Sequence, residues 1–125
     1  MEQQNSTDKI SSYKDLIVWN KSMELVKSIY KLVNQFPQTE TYALGIQMKR
    51  AVVSIPSNIA EGSRRSSRKD FRHFLLNAYG SGAELETQIE IARQLNFCNN
   101  TEFCGESQKL LSEVMKMLNK LVNSL

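Results

Sequence analysis

A chain of 125 residues with 41% hydrophobic and 23% charged side chains has the length and apolar content of one globular domain, which excludes a disordered chain. Five Gly and two Pro supply little of the turn chemistry an all-β domain needs. The net charge of +3 is unevenly placed: residues 49–73 hold seven cations against two carboxylates, a local +5 that leaves the remainder mildly acidic.

The opening stretch MEQQNSTDKISS has no apolar core, so residues 1–12 are expected to be a polar tail and not a signal peptide. No apolar run approaches the roughly 20 residues of a membrane span, and the chain reads as cytoplasmic. Residues 13–125 then form one helical domain. From about Asp15 to Gln35 the residues Leu16, Trp19, Met23, Val26, Tyr30 and Val33 recur at helical spacing and form one stripe. Asp15 suits the positive end of that helix, and Phe36-Pro37 closes it. A second helix is expected from about Glu40 to Glu61, with Leu44, Met48, Ala51 or Val52, Ile55 and Ile59 on one face. Ile46 and Val53 begin a second apolar face. Pro56 lacks the N–H that would reach Val52, so a kink is expected there, a break with restart near Ser57 being the alternative. Gly62 fits the left-handed position beyond the helix end.

Residues Ser63 to Ser67 form a polar connection, and Ser67 with Asp70 resembles a capping box. The third helix runs to about Leu95 on a heptad seam of Phe71, Leu75, Ala78, Gly82, Leu85, Ile89 and Ala92. Gly80 and Gly82 each cost about 1 kcal/mol against Ala inside a helix. With Ser81 and Ala83 they form a smooth patch for close approach by another helix or subunit. Residues 96–105 read as a loop, and a fourth helix from about Glu106 to Asn123 repeats Leu111, Val114, Leu118, Leu121 and Leu125, widened by Leu110, Met117 and Val122. The fold class is therefore all-α, an antiparallel up-down four-helix bundle with helix two kinked at Pro56.

The sequence holds no recognisable catalytic, metal or cofactor constellation. His73 is the sole histidine and lies off the seam. Glu84, Glu86 and Glu90 lack the Glu-x-x-His spacing of a di-iron bundle, and Gly80-Ser81-Gly82 follows no strand, so it is not a phosphate loop. Cys98 and Cys104 have no second pair with which to bind zinc. In a reducing compartment they read as free thiols or apolar anchors, with a local disulfide as the alternative for an exported protein. The functional signal is basic. Arg65, Arg68 and Arg72 recur every three or four residues beside Arg64 and Lys69, next to the N-terminal amides of a helix, an arrangement suited to phosphate.

Three stretches carry a resemblance. They are Tyr13 to Trp19 (YKDLIVW), Gln47 to Gly62 (QMKRAVVSIPSNIAEG), and the set Phe71-x-x-Phe74-Leu75, Ala78-Tyr79-Gly80-Ser81 and Glu84-Leu85-Glu86-Thr87-Gln88. Together they resemble the bacterial four-helix bundle protein family, also called the 23S ribosomal RNA intervening-sequence protein family. The accessory variability proteins of diversity-generating retroelements are its relatives. The fourth helix agrees in type only. The resemblance implies an up-down bundle that assembles into a closed ring, a pentamer, with the Pro56 kink as a built-in feature. It also implies contact with nucleic acid, carried here by Lys49, Arg50, Arg64, Arg65, Arg68, Lys69 and Arg72. The expected function is a non-enzymatic oligomer that binds RNA or DNA phosphates. The alternative is an interaction scaffold whose basic patch docks an acidic protein such as a polymerase.

Overall fold

The structure is a computed structural model that describes residues 12–98 and 101–125. Its elements are a 3-10 turn at Tyr13–Asp15, then α1 (Ile17–Val33), the single turn α2 (Gln38–Thr41), α3 (Leu44–Ser63), α4 (Arg68–Gln94) and α5 (Thr101–Ser124). The four long helices form an all-helical antiparallel bundle, with no strand among the described residues. Successive long helices pack side by side, α3 most extensively on α4, and α1 meets α5 to close the square. At about 1.5 Å per residue the 27 residues of α4 span roughly 40 Å and set the long dimension. Of the tail expected over residues 1–12, only Ser12 is among the described residues, and its hydroxyl caps the first turn at Lys14 N–H (3.2 Å).

The second rod starts earlier than expected, at Gln38, and bends at residues 42–43 between α2 and α3. Helix α3 runs without interruption through Pro56, so the break with restart near Ser57 does not occur. It also runs two residues past Glu61. Gly62 is thus helical and has no positive φ. Its role is contact: a Cβ there would sit 2.7 Å from Phe74 Cβ and 3.0 Å from Phe71 Cδ1, so its bare backbone lets α3 meet α4. The left-handed residue is Asn96 (φ 59°), which ends α4 with Phe97 N–H on Ala92 carbonyl (2.9 Å) and Asn96 N–H on Arg93 carbonyl (3.2 Å).

The α4 seam lies in the core as expected, from Leu75 through Ala78, Gly82, Leu85 and Ile89 to Ala92, with Phe71 half-buried. Two faces differ from expectation. Helix α1 buries Val18, Leu25, Ile29, Leu32 and Val33, whereas Trp19, Met23 and Val26 are half-buried and Tyr30 is exposed. Two serines hide the true stripe. Ser22 donates to Trp19 carbonyl (2.7 Å), and Ser28 shares a buried hydrogen bond with Ser107 of α5 (2.7 Å), so both face the interior with their polarity satisfied. Helix α5 begins at Thr101, five residues before the expected Glu106, which takes Phe103, Cys104 and Gly105 out of the loop. Cys104 thereby joins the core, where Ser107 is also buried, and Val122 is buried where Leu121 is half-buried. Residues 99–100 of that expected loop lie outside the described residues.

Candidate nucleic-acid interface

The end of α3 and the start of α4 make one corner of the bundle. The Ser67 hydroxyl accepts from Asp70 N–H (3.0 Å), which caps the start of α4 at that corner. Arg64, Arg65, Arg68, Lys69 and Arg72 are all exposed there. Arg64 lies over the Tyr13 ring (5.5 Å) and Arg65 over the Phe74 ring (4.7 Å), so two guanidinium planes rest on aromatic faces. Arg65 also pairs with Glu61 one turn back (2.8 Å), and among the described residues no other corner cation has a carboxylate partner.

Arg68 and Arg72 have a second duty. Arg68 donates to the carbonyl of Ser124 (3.0 Å), and Arg72 Nε lies 3.4 Å from the carbonyl of Val122. Both carbonyls are in the last turn of α5, where orphan acceptors and the negative end of the helix favour a cation. These arginines therefore fasten α5 to α4.

Lys49 and Arg50 do not join this corner. Arg64 follows Arg50 by fourteen residue steps along continuous helix, a separation of about 21 Å. Lys49 sits over the Tyr30 ring (4.8 Å) and, with Arg50, borders a cavity of about 480 Å³ lined also by Ile46, Val53 and Ser57. A neighbouring cavity of about 330 Å³ is lined by Trp19, Met23, Val26 and Pro56, and it shares Val53 and Ser57 with the first. One apolar trough with a basic end thus runs along the α1–α3 face.

The expected packing patch divides too. Gly82 is buried, and a Cβ there would run into the Met115 side chain of α5. The Ser81 hydroxyl hydrogen-bonds that of Ser54. Gly80 and Ala83 are exposed, and nothing lies within 4 Å of a Cβ placed on Gly80. His73 is exposed, its ring edge-on to Phe74 (5.7 Å). Among the described residues no group of three or more His, Cys, Asp or Glu could hold a metal ion, and no helix is long and apolar enough to cross a membrane. Tyr13 and Phe74 beneath the arginines were not legible in the sequence, because each ring comes from a segment that carries no local pattern toward its arginine. The Glu61–Arg65 pair was legible as an i, i+4 spacing.

Fold and site together define an all-α four-helix bundle with a cationic corner. Residues 14–120 match the sequence profile of the 23S rRNA-intervening sequence protein family, and the chain belongs to that family. Its fold is similar to the crystal structure of a protein of unknown function from the S23 ribosomal protein family of Bacteroides thetaiotaomicron VPI-5482. That similarity has a TM-score of 0.78 at 24% identity, over 85% of this chain and 98% of the other. No protein with a curated description matches the chain.

Proposed function

We propose that this chain is a non-enzymatic, self-assembling bundle that binds the phosphates of RNA or DNA through the α3–α4 corner. The observation that carries this reading is five exposed cations at one end of the molecule, of which, among the described residues, only Arg65 has a carboxylate partner, Glu61. A closed, repeated arrangement of such corners would focus a stronger field than one subunit has. Arg64, Arg65 and Lys69 are the residues to test, because Arg68 and Arg72 also hold α5. Anisotropy of a labelled RNA and a labelled DNA duplex should show affinity that falls steeply with salt. The combined change Arg64→Glu, Arg65→Glu and Lys69→Glu should weaken it on the order of tenfold or more with far-ultraviolet circular dichroism unchanged. Absence of binding at low salt, or equal binding by the variant, refutes the reading.

Self-assembly is supported by two complementary faces. On the side of α4 opposite the core, Leu76, Tyr79 and Ile91 are exposed beside Glu86 and Glu90. Gly80 stands in the same stripe, and its roughly 1 kcal/mol helix penalty finds no close neighbour within one subunit. An acidic-edged apolar ridge of this kind suits the basic-ended trough on α1–α3. Because ridge and trough are different surfaces, the contact is head-to-tail and closes as a ring, for which we propose the pentamer. The trough also favours the second reading, a scaffold that docks an acidic partner protein. Capture of such a partner that survives nuclease treatment supports it.

A further inference from the structure

The exit of α4 is held firmly before Cys98. Asn96 turns the backbone, Phe97 N–H closes on Ala92, and the Phe97 ring packs on Phe36 at 5.7 Å. Cys104, in the first turns of α5, is 3% exposed and belongs to the core. Cys98 is half-buried against the same core, and the Cys104 thiol is its neighbour. Five residues separate them in sequence, and both side chains pack on one core at the two ends of the α4–α5 connection, a placement from which side-chain rotation reaches the roughly 2.0 Å bond of a disulfide.

We propose that Cys98 and Cys104 are a reversible redox pair that closes to a disulfide, tying the exit of α4 to the start of α5 when a small disulfide such as oxidised glutathione becomes abundant. Exposure sets the order of events. The Cys98 thiolate attacks one sulfur of the oxidant, a mixed disulfide forms, and the first glutathione leaves as a thiolate that takes up a proton. Buried Cys104 then gives up its proton and attacks the Cys98 sulfur. The second glutathione leaves, and the oxidant has been reduced to two thiols while the protein has lost two hydrogens.

Burial, then the neighbouring Cys104 thiol, push the Cys98 thiol up to about 12, so its thiolate is scarce at neutral pH and the first step is slow there. Among charged groups, Arg93 senses Cys104 and is itself paired with Glu90. The pair therefore responds to sustained oxidation and not to a brief pulse.

The reduced full chain is incubated with mixtures of oxidised and reduced glutathione, the remaining thiols are trapped by alkylation, and intact mass is read. Both thiols should disappear together with no glutathione retained and no cross-link between chains, and dithiothreitol should restore both. The rate of loss should rise about tenfold per pH unit between pH 7 and 9. Cys104→Ser should stop at glutathione held on Cys98, and Cys98→Ser should keep its one thiol. Should Cys104→Ser fail to fold, the half-exposed Cys98→Ser gives the same test. Survival of both thiols in fully oxidised buffer overturns the proposal. So does glutathione accumulating on wild-type Cys98, or a disulfide between chains.

Discussion

At Gly62 a methyl group would meet Phe74 Cβ at 2.7 Å and the Phe71 carbonyl oxygen at 3.3 Å, atoms that cannot swing aside without moving α4. At Gly82 the obstacle is the thioether end of Met115, the most adaptable side chain a helix can meet. The same substitution should therefore have unequal effects. Gly62→Ala is expected to destabilise by about 1–3 kcal/mol of overpacking, against a helix-propensity gain of roughly 1 kcal/mol. Gly82→Ala should fall below Gly62→Ala, while Gly82→Leu, which no rotation of Met115 can accommodate, should disrupt α4–α5 packing. Urea unfolding of the three variants measures the order. A Gly82→Leu chain as stable as wild type would refute the contact assigned to that residue.

Among the elements, α1 shows what periodicity alone can and cannot read. Two apolar stripes run along it one residue apart, and the more continuous in sequence is the one that carries Trp19, Met23 and Val26. The core takes the other because Ser22 and Ser28 interrupt it in sequence without interrupting it in space: each is small, buried and hydrogen-bonded. By contrast α4 was legible nearly throughout, since its seam has no polar residue in register apart from the extra Gln88. The start of α5 was missed because Cys104, its first core position, reads as a loop residue a few positions after two asparagines. The Ser28–Ser107 pair joins α1 to α5 without an apolar contact, and its worth can be measured. Ser28→Ala should destabilise by about 1–3 kcal/mol by leaving the Ser107 hydroxyl buried and unpaired, whereas the double change to Ala should come back close to wild type. Additive losses in thermal unfolding would show that the two hydroxyls do not depend on each other.

For the molecule as a whole, the basic cluster was legible as charge but not as geometry. One continuous helix places Lys49 and Arg50 about 21 Å from the corner. Arg68 and Arg72 reach carbonyls 56 and 50 residues distant, a relation no local spacing encodes. The proposed function assigns these two separated regions different work: phosphate contact at the corner, and subunit contact at the trough. Ile91 is 40% exposed on the α4 ridge and Val53 is 41% exposed in the trough, so a charge at either site is tolerated by a single folded chain. Ile91→Lys should sediment as one chain with its helical content unchanged, and so should Val53→Lys. Mixed together they should form a dimer, because the first keeps an intact trough and the second an intact ridge, and a head-to-tail contact needs just one of each. A symmetric contact, in which each face meets its own copy, would give no such rescue. Either single variant should also bind RNA more weakly than wild type, on the order of tenfold or more, since cationic corners held in one ring act on neighbouring phosphates at a high effective concentration. A wild-type chain that sediments alone, or variants that assemble unchanged, would remove the ring and leave the corner to act by itself.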